Sequence, residues 1–149
     1  MEQRLTIHSL EEMNQFAKKI RKACFPGCII GLKGELGSGK TTFTKFLARH
    51  LGVTETVNSP TFNILKIYQG VLPIYHMDVY RLEGIGYDYE LDDFIYGEGV
   101  SIIEWYPFIT KMLPKEILEI EISGALGETR EIFVKGSEAY NETIKTLSD

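Results

Sequence analysis

The clearest chemical pattern in this chain lies at residues 34–42, which read Gly-Glu-Leu-Gly-Ser-Gly-Lys-Thr-Thr. The stretch fits G-x-x-x-x-G-K-[ST], a P-loop pattern in which bare backbone N–H groups surround phosphate oxygens. In such a loop the lysine, here Lys40, bridges the β- and γ-phosphates, and the hydroxyl of Thr41 ligates Mg²⁺. The residues predicted to bind the nucleotide here are Glu35, Leu36, Gly37, Ser38, Gly39, Lys40, Thr41 and Thr42.

The flanking segments have the patterns that a P-loop requires. The run 28–32 is apolar enough for a buried parallel strand, and 42–51 places its apolar residues at helical spacing. Gly52 then stands where a glycine commonly ends a helix. The glycine-rich stretch is therefore predicted to turn the chain from a strand into a helix, whose N-terminus attracts anions.

Phosphoryl transfer also needs a carboxylate near Mg²⁺ and a group that orients the attacking water. Asp78 follows the apolar run 73–77, and Glu104 follows 100–103, so both acids stand at strand ends. Taken alone, each of these residues is also compatible with an ordinary solvated acid at a strand end, without a role in catalysis. Ser59 and Thr61, in Ser-Pro-Thr-Phe before a strand, could sense a γ-phosphate or belong to a plain proline turn. His76 is equally compatible with an ordinary core histidine.

Taken together, S-P-T-F at 59–62, H-M-D-V-Y-R-L at 76–82 and I-E-W at 103–105 closely resemble the TsaE family of small bacterial ATPases. The resemblance covers nearly the whole chain. It implies a seven-stranded mixed sheet and weak ATP hydrolysis with Mg²⁺, stimulated by the partner proteins TsaB and TsaD. It also implies a role in making threonylcarbamoyladenosine on tRNA, with tRNA met only through the complex.

The resemblance further implies roles for single residues. Lys40, Asp78 and Glu104 are expected to be catalytic, and Thr41 and Glu104 to associate with Mg²⁺. Ser59 and Thr61 fall in a switch-like segment, and Trp105 matches an aromatic residue beside the site. Ser9 lies where the family contacts the adenine side of the nucleotide. The region 84–99 and the C-terminal third carry no motif, so no role transfers to them.

The remaining segments predict an α/β fold. Ser9 and Glu12 form a capping-box pattern before a helix, and hairpins are expected around Gly70 and across 124–127. Ser137 is expected to cap a last helix. Strands and helices alternate early and strands dominate later, which favours a P-loop NTPase-like, mixed, mostly parallel sheet of about seven strands with helices on both faces. The nucleotide should lie at the carboxyl ends of the strands.

Composition narrows the functional classes. The chain has 149 residues, 44% hydrophobic and 25% charged, which fits a single ATPase domain spanning 1–149. No apolar run approaches the about 18 residues of a membrane span, and the N-terminus lacks a signal-peptide pattern, so we expect a cytoplasmic protein without membrane contact. A net charge of −5 disfavours direct nucleic-acid binding. Cys24 and Cys28 are expected to be small buried apolar residues.

Two other functions remain as alternatives. A small nucleoside-type kinase shares the phosphate loop, but such enzymes also cluster arginines in a mobile lid, whereas the arginines here are scattered. A nucleotide-sensing interaction module would bind without significant turnover. A GTPase is disfavoured because the N-K-x-D pattern that reads guanine is absent.

Overall fold

The computed structural model describes residues 1–35, 37–58, 64–80, 91–124, 127 and 129–147. Its strands are β1 (Glu2–Ile7), β2 (Ile29–Lys33), β3 (Leu65–Gln69), β4 (Pro73–Asp78), β5 (Val100–Glu104), β6 (Leu118–Ser123) and β7 (Arg130–Gly136). Its helices are α1 (Leu10–Arg21), α2 (Lys40–His50), α3 (Asp92–Ile95) and α4 (Asn141–Thr146), with 3-10 helices at Tyr106–Met112 and Glu138–Tyr140.

The seven described strands form one sheet in the order β1-β7-β6-β2-β5-β4-β3. Parallel pairing joins the four central strands, β6, β2, β5 and β4. Antiparallel pairing adds β3 at one edge and β7 and β1 at the other. The predicted α/β class, with a mixed seven-stranded sheet that is parallel at its centre, is confirmed. So are the two hairpins, β3–β4 and β6–β7.

Apolar side chains cover both faces of the sheet, as strands buried on two sides require. On one face α1, α2 and α4 share a large core, in which the rings of Phe16 and Phe43 lie 5.5 Å apart. On the other face α3 and the first 3-10 helix contribute Ile95 and Ile109 to a smaller core. The two cores pack against the central strands from both faces. This packing fixes the position of the side chains at the carboxyl ends of these strands.

The boundaries differ from the predicted ones in a few places. The helix α2 begins at Lys40, two residues earlier than predicted, because its first turn is already part of the phosphate loop. Ser137 does not cap the last helix, since its hydroxyl donates to a Glu116 carboxylate oxygen at 2.5 Å and α4 begins only at Asn141. Cys28 is buried and Cys24 partly buried, both as free thiols. Within the described residues, no helix has the length and apolar character to cross a bilayer.

Candidate functional site

The turn between β2 and α2, which we call the P-loop (residues 34–41), depends on glycines for steric reasons. A Cβ at Gly34 would lie 2.7 Å from the Ser38 hydroxyl and closer still to the carbonyl oxygen of Ile122. Gly39 caps α2 in a left-handed conformation, with φ at +113°. The backbone therefore passes closer to β6 than any side chain would permit, and it leaves the N-terminus of α2 open to a phosphate group.

Lys40 lies inside this turn rather than in solvent. Its exposed fraction is 8%, and its Nζ donates to the Gly34 carbonyl at 2.5 Å. The same ammonium group lies 4.6 Å from the centre of the Trp105 ring. Both of these partners are neutral, so the positive charge is held in place without being neutralised by them. An anion that enters the loop would find this charge already in position.

The two predicted acids meet at the carboxyl ends of β4 and β5. The parallel register pairs Asp78 with Glu104, and the N–H of Val79 donates to the Glu104 carbonyl at 3.1 Å. The side chain of Glu104 is buried, and its Oε2 lies 2.7 Å from the Nε2 of His76, which is fully buried. The two acids are thus neighbours at the edge where the P-loop begins, since β2 pairs with β5.

Asp78 is only half-buried, and its environment acts on it in opposite directions. Burial, together with the nearby charge of Glu104, raises the pKa of the Asp78 carboxyl above its ordinary value. The Tyr80 N–H, which donates to Oδ1 at 3.0 Å, lowers the same pKa, as does the charge of Lys40. A carboxylate destabilised in this way gains from any cation or polarised water brought beside it.

Aromatic residues border the acids. Trp105 has a left-handed backbone with φ at +63°, a conformation that non-glycine residues adopt at a cost of about 1–2 kcal/mol. Its ring stacks on Phe108 at 5.8 Å and contacts Tyr80 at 5.0 Å. This turn directs the chain away from the sheet immediately after Glu104. It also places the indole against Lys40, where the predicted aromatic neighbour of the site was expected.

A cleft on the other side of the P-loop brings together residues from distant parts of the chain. Ser9, Thr42, Gly39 and Arg130 are among the residues that line it. The Ser9 hydroxyl accepts the Glu12 N–H at 3.1 Å and caps α1 as predicted. Ser9 lies beside the P-loop in this cleft, although the loop begins 25 residues later in the sequence.

Arg130 belongs to this cleft and was not foreseen from the sequence. Its Nε donates to the Ser38 carbonyl at 2.8 Å, and its Nη1 donates to the Gly127 carbonyl at 2.6 Å. The guanidinium group therefore ties the β6–β7 hairpin to the P-loop. In the sequence, Arg130 is simply the first residue of an alternating strand in a region without any motif, and this pattern does not indicate a role in the site.

The other predicted site residues are distributed as follows. Thr41 and Thr42 lie half-buried in the first turn of α2, while Glu35 and Gly37 are exposed and Ser38 is buried. Leu36, Ser59 and Thr61 lie outside the described residues. Across the ranges that the structure describes, no group of three or more His, Cys, Asp or Glu side chains is arranged to hold a metal. Glu104 and Asp78 nevertheless offer carboxylate oxygens close to the start of α2, and oxygen ligands are those that Mg²⁺ prefers.

Comparison with known proteins shows similarity over most of the chain. A family model described as threonylcarbamoyl adenosine biosynthesis protein TsaE matches residues 7–132. Two proteins named tRNA threonylcarbamoyladenosine biosynthesis protein TsaE are similar to this chain. The one from Bacillus subtilis (strain 168) is 50% identical over 140 residues, which cover 93% of this chain and 89% of that protein. The one from Treponema pallidum (strain Nichols) is 35% identical over 133 residues, 88% of this chain and 98% of that protein.

The solved structures include a similar fold. The crystal structure of Bacillus subtilis YdiB matches this one with a TM-score of 0.83 at 39% identity. The match covers 99% of this chain and 95% of that chain. The similarity therefore extends over the whole sheet, including the strands that carry the site.

Proposed function

This chain belongs to the TsaE family of tRNA threonylcarbamoyladenosine biosynthesis, and from that premise we propose that it is a Mg²⁺-dependent ATPase of the cytoplasm. In this proposal it works in a complex with TsaB and TsaD and supports repeated turnover of the transferase. Contact with tRNA is made only through that complex, in keeping with the net charge of −5.

One observation carries the proposal. The P-loop contains a glycine position that has no room for a side chain, and a buried lysine lies beside it. The paired acids at the ends of β4 and β5 lie at the same edge of the sheet. The Ser38 hydroxyl is also buried and has no hydrogen-bond partner among the described residues. A phosphate group would satisfy that hydroxyl together with the backbone N–H groups of the turn.

Each residue then has a distinct role. The P-loop amides and Lys40 bind the phosphates, with Lys40 exchanging the Gly34 carbonyl for phosphate oxygens. The Thr41 hydroxyl and the Glu104 carboxylate would hold Mg²⁺, directly or through water. Asp78, whose raised pKa favours proton uptake, orients the attacking water. When bound, Mg²⁺ would supply positive charge that offsets the charge on the phosphate oxygens.

Further residues would complete the nucleotide site. Glu35, Leu36, Gly37, Ser38, Gly39 and Thr42 surround the phosphates, and Ser9 lies on the adenine side. Ser59 and Thr61 act as a switch that senses the γ-phosphate. We propose that the protein hydrolyses ATP slowly when alone because this switch is completed only when a partner orders it.

Turnover measured with and without partners tests the proposal. Purified protein, ATP and Mg²⁺ are combined with TsaB and TsaD, and phosphate release is followed. We expect slow release from the protein alone and a clear stimulation by the partners. Lys40→Ala should abolish both rates, since it removes the only lysine of the loop. Lys45→Ala, an exposed lysine on the same helix, is the matched control and should keep them.

Two results would contradict the proposal in different ways. Equal rates with and without partners would reject stimulation but leave the ATPase. Unchanged turnover in the Lys40→Ala variant would reject the site itself.

A further inference from the structure

His76 occupies an unusual position for a polar side chain. It lies on β4 with none of its surface exposed, between the apolar neighbours Ile74 and Ile102 of the main core. Its Nε2 is 2.7 Å from Oε2 of Glu104, which is itself almost completely buried. Buried polar groups are costly unless they are paired, so this contact is the evident reason for a histidine here.

The direction of this hydrogen bond follows from its chemistry. A carboxylate only accepts, so Nε2 carries the proton and donates to Glu104. The other ring nitrogen, Nδ1, has no hydrogen-bond partner among the described residues. A second proton there would be a buried donor without an acceptor, which is more costly than a bare lone pair. The arrangement therefore fits the neutral Nε2–H tautomer, and a neutral donor leaves the negative charge of Glu104 intact.

From this geometry we propose that His76 is a positioning residue, which holds Oε2 of Glu104 so that the rest of the carboxylate is kept in one orientation for Mg²⁺. The inference rests on the proposed function, because it assigns Glu104 to the cation. Hydrogen bonds to a carboxylate ligand commonly change metal affinity by about 10–100-fold when they are removed. His76 makes no contact with substrate in this proposal and acts only through Glu104.

Three variants separate positioning from mere packing. His76→Leu fills the space without a donor, and His76→Gln keeps an N–H donor on a side chain of similar reach. Ile74→Val is the matched control, because it removes a methylene from the same face of the same strand and leaves the hydrogen bond alone. The probe is the imido analogue of ATP, which is not hydrolysed, and calorimetry measures its affinity in EDTA and across a series of Mg²⁺ concentrations.

We expect the Mg²⁺ concentration for half-maximal enhancement of binding to rise at least about 10-fold in His76→Leu. It should rise less than about 3-fold in His76→Gln and stay unchanged in Ile74→Val, while affinity in EDTA remains equal in all four proteins. If His76 contributes only packing, His76→Leu and Ile74→Val should both lower the stability of the protein and leave the Mg²⁺ dependence of binding unchanged.

The outcomes distinguish this inference from the proposed function. Wild-type protein that binds the analogue without any Mg²⁺ dependence would overturn the proposed function. A normal Mg²⁺ dependence in His76→Leu, or a Gln variant as impaired as the Leu variant, would overturn the inference alone. Nitrogen-15 NMR of the unaltered, ligand-free protein tests it independently of nucleotide and of variant folding. A proton on Nδ1 of His76 in place of Nε2 would refute it.

Discussion

Replacing Gly34 by alanine tests whether the P-loop depends on backbone that no side chain can share. The added Cβ would meet the Ser38 hydroxyl at 2.7 Å and the Ile122 carbonyl at a still shorter distance. The Ser38 side chain could rotate away, but Ile122 is part of the β6–β7 ladder, so its carbonyl moves only if the strand moves. Forced overpacking of this kind costs about 1–3 kcal/mol.

Gly37 provides the matched control within the same loop. Its φ is +81°, and a Cβ there would have no atom within 4 Å. Gly37→Ala should therefore lose only the conformational term, about 1 kcal/mol. Gly34 has a φ of +156°, and alanine there would also meet the steric clash with Ser38 and Ile122. We therefore expect Gly34→Ala to lower the free energy of unfolding by about 2–4 kcal/mol in total. Typical domains have about 5–15 kcal/mol of stability, so both variants should still fold.

Urea denaturation and ADP binding measure the two consequences. Trp105 is the only tryptophan, and it lies against Lys40, so its fluorescence reports on unfolding next to the site. We expect Gly34→Ala to bind ADP at least about 100-fold more weakly than Gly37→Ala, equal to about 2.7 kcal/mol. If the two variants have equal stability and equal ADP affinity, then close approach of the backbone to β6 is not what shapes the loop.

Two further predictions concern ionisable groups whose pKa is raised by burial. Tyr140→Phe should lower the free energy of unfolding by about 1–2 kcal/mol without affecting ADP binding, because the hydroxyl of Tyr140 accepts the Ile29 N–H at 3.3 Å. Burial also raises the pKa of Tyr140 to about 12, so above about pH 10 the folded state keeps a proton that the unfolded chain loses. Wild-type stability should then fall more steeply between pH 10 and 12 than that of Tyr140→Phe, as urea denaturation would measure; parallel slopes would contradict it. Asp78→Asn should abolish ATP turnover yet slightly raise stability near pH 7, since burial and the charge of Glu104 raise the pKa of Asp78 and so disfavour its charged form. This gain in melting temperature should shrink as the pH falls towards about 4 and be absent below it, where both states are protonated, and a variant less stable than wild type at pH 7 would refute it.

Much of the fold could be predicted because its elements have strong local patterns. The apolar spacing of α1 and the alternation in β6 and β7 each match the period of one type of secondary structure. The continuous apolar run of β2 is typical of a strand that is buried on both faces. Boundaries were less accurate wherever an element ends in a functional turn. The start of α2 is the example, because the glycine Gly39 that caps it has no side chain to signal the cap.

The candidate site divides in the same way. The P-loop is a continuous pattern, and Asp78 and Glu104 follow apolar strands, so local sequence was enough to propose them. The placement of Arg130 was not predictable, because it depends on where the β6–β7 hairpin folds relative to residues about 90 positions earlier. The contact of His76 with Glu104 depends on the register of two strands that are not adjacent in the sequence.

That register explains how the core supports the chemistry. In β4 and β5 alternate residues face opposite sides of the sheet, so Ile74 and Ile102 join the core beneath α2, while Met77 and Ile103 join the opposite core. Because His76 and Asp78 follow Ile74 at intervals of two, they share its face with the start of α2. A slip of one residue would bury carboxylates in the smaller core and expose methionine beside the P-loop. The apolar residues on the far face therefore fix the register of the strands, and with it the position of the acids on the opposite face.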